Sequence, residues 1–304
     1  MPSAVRTAIR SNRIPRRRSR SRKRKNTYRN ESTKIVSDSD LETPRVSGRA
    51  GPMAADSAKP QTEADRILSV YKSRHCDTGP DRYGAFQLDA LYALQERERR
   101  AIHAMKQHGI FNLSACKILD VGCGYGPWLR DFIQWGARPE NLFGIDLIPD
   151  RVEVARQLCP PQVTVVAGNG ADLPWDDGAF DILVQSTVFT SILDAAVKQR
   201  LAQEMLRVLK PGGLILWLDF RLNNFRNPNV RGIGKREIRQ LFRGCAIRLW
   251  PTNLLPPLAR ALAPWSLLLV ELLGRIPILC SHYLACIQKP LAPPLNPGRR
   301  LDSP

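Results

Sequence analysis

Ile118-Leu119-Asp120-Val121 runs directly into Gly122-Cys123-Gly124-Tyr125-Gly126-Pro127, a short apolar strand that breaks into glycines at alternate positions. In an open parallel sheet, ligands bind beyond the carboxyl ends of the strands, where the strand order reverses. Glycines at that point remove Cβ atoms and permit left-handed backbone, so a ligand can lie against bare main chain. A second apolar strand, Leu142–Asp146, ends on a carboxylate twenty residues past Gly126. A carboxylate so placed can accept both hydroxyl hydrogens of a ribose. Together the two features predict a nucleoside-bearing ligand.

The spacing narrows that ligand. A dinucleotide fingerprint, GxGxxG, requires a third glycine at position 127, where this chain has Pro127. The pattern is GxGxG with Asp120 ahead of it. A carboxylate repels a pyrophosphate and attracts an ammonium or sulfonium, so the turn favours S-adenosylmethionine over NAD.

Outward from the turn, strands and helices alternate. Strands are expected at Lys117–Val121, Leu142–Asp146, Val163–Ala167, Phe180–Gln185 and Leu214–Phe220, with helices over Trp128–Trp135, Pro149–Leu158 and Ala195–Leu209 between them. Lys210-Pro211-Gly212-Gly213 reads as the turn that closes the last helix and starts the fifth strand. This alternation implies βαβ units and a mostly parallel sheet. Beyond it, a helix is expected at Lys235–Phe242 and two more strands at Cys245–Trp250 and His282–Gln288. Upstream, Ala64–Lys72 and Phe86–His108 have helical spacing. In the second of these Leu88, Leu91, Leu94, Ala101, Ile102 and Met105 form the apolar stripe, and the run Gln95–Arg100 reads as a solvated face.

Here the chain resembles class I S-adenosylmethionine-dependent methyltransferases. Ile118–Gly126 is similar to their motif I, and Gly144–Asp146 to the acidic end of their second strand. Gly168-Asn169-Gly170-Ala171-Asp172-Leu173-Pro174-Trp175, with Asp177-Gly178-Ala179-Phe180-Asp181, resembles their GDAxxLPF…FD segment. Leu206–Gly213 resembles their RVLKPGG signature. The four motifs stand in order across 117–220, and the flavour is that of the small-molecule enzymes of the ubiquinone and menaquinone type (methyltransferase type 11). The resemblance implies a Rossmann-like three-layer sandwich whose seven-stranded sheet is mostly parallel with an antiparallel last strand.

It also implies site roles. Gly122, Cys123, Gly124 and Gly126 would border the methionine moiety of the cofactor, with Asp120 near its amino group. Asp146 would bind the ribose and Leu147 would pack on adenine. Asn169, Gly170 and Ala171 would meet the adenine edge, Asn169 standing where the family commonly has Asp. Gln185 would flank the methionine part and face substrate. Cys123 fits a tight turn better than a nucleophile, since no paired base accompanies it. Methyl transfer from a sulfonium releases a neutral group, so catalysis rests on alignment, and a base is needed only if the acceptor must lose a proton. The catalytic candidates are His75, Tyr71, Tyr83 and Gln185. The first three belong to a lid segment ahead of the core, Tyr71–His75 with Arg82-Tyr83. Asp219, Arg221 and Asn223-Asn224 are further polar groups after the fifth strand. No (N/D)PP(Y/F) motif follows strand four, where the chain reads Gln185-Ser186-Thr187-Val188-Phe189, and the histidine that O-methyltransferases often place there is lacking.

Composition sets the remaining bounds. The 304 residues carry a net charge of +18, and residues 1–49 hold 15 Lys/Arg against 4 Asp/Glu. Residues 1–60 are therefore expected to be a disordered basic tail, 61–112 a helical cap, 113–290 the methyltransferase domain and 291–304 a second loose tail. Met53 is an alternative start. Seven cysteines without CxxC spacing point to reduced thiols, no metal site and a cytoplasmic protein. No apolar leader follows the basic start. The apolar segment Pro256–Ile278 is expected to be a core helix between the last two strands. Its other readings are a cover on an acceptor pocket or a peripheral membrane contact. The expected reaction is methyl transfer to a lipid-, quinone- or glycan-like small molecule. Alternatives are a nucleic-acid or protein methyltransferase docking through the Arg-rich tail, with nucleic acid the less favoured partner, and a non-catalytic S-adenosylmethionine-binding protein. Oligomeric state is not readable.

Overall fold

A computed structural model of the protein describes residues 62–74, 86–224 and 227–291. The expectations placed on residues 1–60 and 292–304, and on His75, Arg82 and Tyr83, lie outside the described residues. The elements in chain order are α1 (Glu63–Arg74), α2 (Leu88–Gln107), β1 (Ile118–Val121), α3 (Pro127–Gln134), β2 (Leu142–Asp146), α4 (Pro149–Leu158), β3 (Thr164–Ala167) and β4 (Phe180–Ser186). They continue with α5 (Ala195–Val208), β5 (Leu209–Phe220), α6 (Lys235–Leu241), β6 (Ala246–Leu254), α7 (Pro256–Leu262), α8 (Leu267–Gly274) and β7 (Cys280–Gln288).

Local chemistry accounts for the helix starts. Thr62 and Asp65 exchange hydrogen bonds across the first turn of α1, Asp65 N–H donating to Thr62 Oγ1 and Thr62 N–H to Asp65 Oδ2, both at 3.2 Å. Asp194 caps α5 by accepting from the N–H groups of Ala196 and Val197 at 2.7 and 3.2 Å. Pro127 and Pro149 open α3 and α4 at positions that need no N–H donor.

The strands form one sheet in the order β3-β2-β1-β4-β5-β7-β6. The first five are mutually parallel, and β7 is antiparallel to both neighbours. Alternate residues face opposite layers. Ile118, Leu142, Ile182 and Leu216 pack under α2, α3 and α4 with Met105, Leu129, Phe132 and Ala155. Leu119, Ile145, Leu183 and Trp217 pack under α5 and α6 with Leu201, Met205 and Ile238. The Rossmann-like three-layer sandwich with a mostly parallel seven-stranded sheet is therefore the observed architecture. The strand order reverses between β1 and β4, which puts the switch point beside the glycine turn.

Three sequence expectations are corrected. Lys210–Gly213 is not a turn ahead of the fifth strand but part of β5, which starts at Leu209 and carries a register shift against β4 between Phe180 and Ile182. The end of β7 recruits it: Gly212 N–H donates to the Lys289 carbonyl at 3.1 Å and Lys289 N–H to the Gly213 carbonyl at 3.0 Å. The face Gln95–Arg100 of α2 is not uniformly solvated. Glu96 and Arg97 are buried, while Leu88 and Leu94 of the apolar stripe are exposed. Glu96 turns inward because it accepts from Thr252 Oγ1 at 3.0 Å and from Asn253 N–H at 3.3 Å on β6. The segment Pro256–Ile278 is not one buried helix. It is the pair α7–α8, which buries Ala259, Ala263 and Val270 and exposes most of its large side chains.

Candidate active site

The glycine turn is wired to β2. The N–H groups of Gly122 and Cys123 donate to the Ile145 carbonyl at 2.8 and 3.0 Å. Gly124 N–H donates to Asp146 Oδ2 at 2.8 Å, and Ile148 N–H to Asp146 Oδ1 at 2.9 Å. The Asp146 carboxylate thus spans the turn after β1 and the turn after β2, and keeps lone pairs for a ligand. The turn requires glycine at Gly122, where φ is +74° and a Cβ would stand 2.3 Å from Val188 Cγ2. At Gly126, φ is +71° and a Cβ would meet Cys159 Sγ at 2.9 Å.

Above these turns lies a cavity of about 780 Å³, a size suited to a nucleoside-sized ligand together with part of a second molecule. Gly122, Cys123, Gly124, Asp146, Leu147, Asn169, Gly170 and Ala171 all line it, together with Tyr71. The Asn169 side-chain oxygen already accepts from Ala171 N–H at 3.0 Å, which leaves one lone pair and the amide N–H₂ for other partners. Asp120, Gly126 and Gln185 are not part of the wall. Asp120 and Gln185 are buried behind it, and Gln185 Oε1 accepts from Val188 N–H at 3.2 Å. Burial, reinforced by the nearby Asp146 charge, pushes the Asp120 carboxyl up to about 8, and neither of its oxygens has a hydrogen-bond partner. The Cys123 thiol is likewise buried and pushed far upward, which leaves it protonated and unreactive. Asp219 does not open toward the cavity. It is buried, accepts from Thr190 Oγ1 at 2.6 Å and so anchors the short 3₁₀ turn Phe189–Ser191.

Several wall residues carry no motif. α1 is fastened across the cavity by Arg66, which donates to the Ser191 carbonyl at 2.6 Å, and by Glu63, which accepts from Leu193 N–H at 2.5 Å. The Arg66 side chain holds the Glu63 carboxyl below its ordinary value. Arg151 of α4 lies with its guanidinium 4.3 Å from the Tyr71 ring centre and 5.4 Å from that of Tyr125. Arg97 of α2 is ion-paired with Asp131 and stands 4.4 Å over the Trp128 ring. Arg97 was findable from sequence: it lies 4, 7 and 8 residues before Ala101, Ala104 and Met105, the other residues of that buried helix face. Thr187, at the end of β4, is one of two non-glycine residues with positive φ among those described, at 59°. Such strain concentrates at functional sites.

The profile of the methyltransferase domain family matches residues 118–213. The chain is 33% identical over 186 residues to a 2-methyl-6-phytyl-1,4-hydroquinone methyltransferase of Synechocystis sp., covering 60% of this chain and 55% of that one. It is 30% identical over 145 residues to a phthiotriol/phenolphthiotriol dimycocerosates methyltransferase of Mycobacterium leprae, covering 44% and 52%. The chain therefore spans about half the length of these curated relatives. Among solved structures, a putative sarcosine dimethylglycine methyltransferase from Galdieria sulphuraria shares the fold at 17% identity, with a TM-score of 0.50 over 66% of this chain and 87% of that one. Residues 118–213 thus carry a methyltransferase domain, set in a sheet of the Rossmann-like order described above.

Proposed function

We propose that the protein transfers a methyl group from S-adenosylmethionine to a lipid-dissolved small molecule of the hydroquinone type. The observation that carries the reading is the meeting of the glycine turn and the Asp146 carboxylate in the wall of one cavity at the switch point. The wall fits the cofactor. Three of its residues hold buried N–H groups without a partner, Arg97 Nε, Trp128 Nε1 and Arg151 Nε, and a polar ligand would satisfy donors that are otherwise costly to bury. When bound, the cofactor supplies the activated methyl.

The chain's own residues orient and enclose it. Asp146 would accept from the ribose hydroxyls, Leu147 would pack on adenine, and Asn169–Ala171 would meet its edge. Gly122–Gly124 would let the methionine portion approach the backbone, and the Arg97 guanidinium would attract its carboxylate. Asp120, Gly126 and Gln185 would act from behind the wall, by shaping the turn and the end of β4. α1 and the Tyr71–Arg151–Tyr125 stack would exclude water and hold the acceptor in line with the methyl. Among the described catalytic candidates Tyr71 reaches the cavity, its hydroxyl 3.1 Å from Ser191 Oγ. The acceptor class is taken from the two relatives, whose names specify a hydroquinone and a lipid, and from the apolar side chains Ile67, Val188, Ile192 and Val197 in the same wall.

Titration calorimetry tests the cofactor site. Wild type is expected to bind S-adenosylmethionine, and Asp146→Ala to bind it at least about tenfold more weakly, since hydrogen bonds to a charged acceptor contribute roughly 1.5–3 kcal/mol each. Unchanged affinity would remove Asp146 from the ribose site, and no binding by wild type would overturn the whole reading. Transfer of a labelled methyl to a prenylated hydroquinone in detergent micelles then tests the acceptor. Label found instead in RNA or protein, and lost when residues 1–52 are deleted, would favour a macromolecular acceptor.

A further inference from the structure

α7 and α8 leave one apolar face uncovered. Their inner residues, Leu254 at the end of β6, Ala259, Ala263 and Val270, pack together with Tyr92 of α2. The outer residues, Trp265 just ahead of α8, Leu268, Leu269 and Leu272 on α8, and Ile276 and Ile278 just after it, are 43–87% exposed. The charges on α8 do not interrupt this face. Glu271 pairs with Arg275 at 3.0 Å, and both border a small cavity with Arg99 and Arg100 of α2. At about 100° per residue, Leu268, Leu269 and Leu272 fall within one arc opposite Val270, so the outward arc of α8 is leucine alone. A contiguous exposed apolar surface of this kind marks an interaction site.

Topology places the surface on the functional edge of the molecule. β5 ends at Phe220, which pairs with His282 near the start of β7, and Cys280 pairs with Leu254 at the end of β6. The connection 255–279 therefore emerges at the carboxyl edge of the parallel strands, the edge that carries the glycine turn and the cavity. α2 links the two features. Tyr92 packs under the helical pair and Arg97 lines the cavity, five residues or about 7.5 Å apart along the helix axis.

We propose that the α7–α8 face docks on an anionic lipid surface, lying in the interface without crossing it. Its chemistry is that of an interfacial helix, an aliphatic arc with an exposed tryptophan at one end. No helix among the described residues is long and apolar enough to span a bilayer. Charge favours lipid over a second copy of the chain: two chains of net charge +18 repel one another, whereas anionic headgroups attract them. Much of that charge sits in residues 1–30, which hold twelve Lys/Arg and no acid. Docking would turn the cavity edge toward the bilayer, so that an acceptor dissolved there reaches the site without crossing water. That consequence rests on the lipid-acceptor reading; the docking itself does not.

Flotation of the full chain with vesicles of phosphatidylcholine and phosphatidylglycerol, 3:1, tests the proposal. Wild type is expected to float in about 0.15 M and about 0.5 M NaCl, because apolar insertion survives the screening that abolishes purely ionic attachment. The triple variant Leu268→Ser, Leu269→Ser, Leu272→Ser should partition roughly a hundredfold more weakly at the higher salt. Its unfolding should stay cooperative, with a modestly lowered thermal midpoint, and its S-adenosylmethionine affinity should stay at the wild-type value, since the three side chains are about half or more exposed and lie outside the cavity wall. Brominated phosphatidylcholine should quench wild-type tryptophan emission, and Trp265→Phe should abolish that quenching. Failure of wild type to float, equal flotation of the triple variant, or equal quenching of Trp265→Phe each overturns the assignment. So does a wild-type dimer that the triple variant converts to monomer. Loss of cofactor binding by wild type would strike the methyltransferase reading instead and leave the docking standing.

Discussion

At the scale of single residues, the site depends on positions where one atom more does not fit. Gly122→Ala would force a left-handed φ on a residue with a Cβ and drive that Cβ to 2.3 Å from Val188. The conformational penalty of about 1–2 kcal/mol and an overpacking cost of similar size predict a loss of about 2–4 kcal/mol in denaturant melts, together with weakened S-adenosylmethionine binding. Gly122, Gly124 and Asp146 were legible in the sequence because backbone constraint and hydrogen-bonding capacity belong to residue type. Arg151 and Glu63 were not. They reach the cavity because α4 and α1 are laid over it, and no spacing rule relates them to the glycine turn. Asp120 shows the converse. Its place before the glycines suggested a charge facing the ligand, but the pleat of β1 aims it into the protein, where burial raises its pKa.

At the scale of elements, helix phase and strand limits were set by partners. α5 and α6 are joined by Lys198, whose side chain is 2% exposed, and Glu237, at 3.0 Å. Removing one member of such a pair strands the other charge. Glu237→Gln is expected to cost about 2–3 kcal/mol in chemical denaturation, toward the low end for a buried pair because Glu237 is a quarter exposed and Arg231 lies near it. Lys198→Met combined with Glu237→Gln should recover much of the loss, and a double as unstable as the single would show that the charge was not the cause. The inner strands β1, β2 and β4 matched their apolar runs closely, since parallel strands buried on both faces must be continuously apolar. β5 began earlier than its apolar run and β6 ran longer, because antiparallel pairing with β7 extends over residues whose side chains carry no strand signal. The pair α7–α8 was misread as core because a leucine run has the same composition whether it faces protein or lipid.

At the scale of the whole molecule, buried titratable groups make stability depend on pH. Asp120 and Asp219 are raised by burial to about 8 and about 6, and His282 is lowered by burial to about 4. A carboxyl with a raised folded pKa contributes most when protonated, so its contribution fades as pH climbs from its unfolded value through its folded one. A histidine with a lowered folded pKa does the opposite, and its contribution is lost as pH falls from about 6.5 to about 4. Between about pH 6.5 and 8 the Asp219 effect is nearly complete and that of His282, whose unfolded value is 6.5, finishes with the opposite sign, so Asp120 dominates the change. Stability of the ligand-free protein is therefore expected to fall across that window by up to about 1.4 kcal/mol per pH unit. Thermal or urea melts at pH 6.5 and 8 check this, with Asp120→Asn expected to flatten the fall; an equal slope in the variant would clear Asp120 of responsibility.

The sequence by itself determined the glycine turn, the carboxylate that ends β2, the alternation that makes a parallel sheet and the methyltransferase domain over 118–213, because each rests on residue type at short range. Only the tertiary structure decided that Arg151 and α1 complete the cavity, that Asp120 stands behind its wall, and that the leucines of α8 face outward at the same edge. Those outcomes depend on which way distant elements turn toward one another, and burial is settled there rather than in the order of residues along the chain.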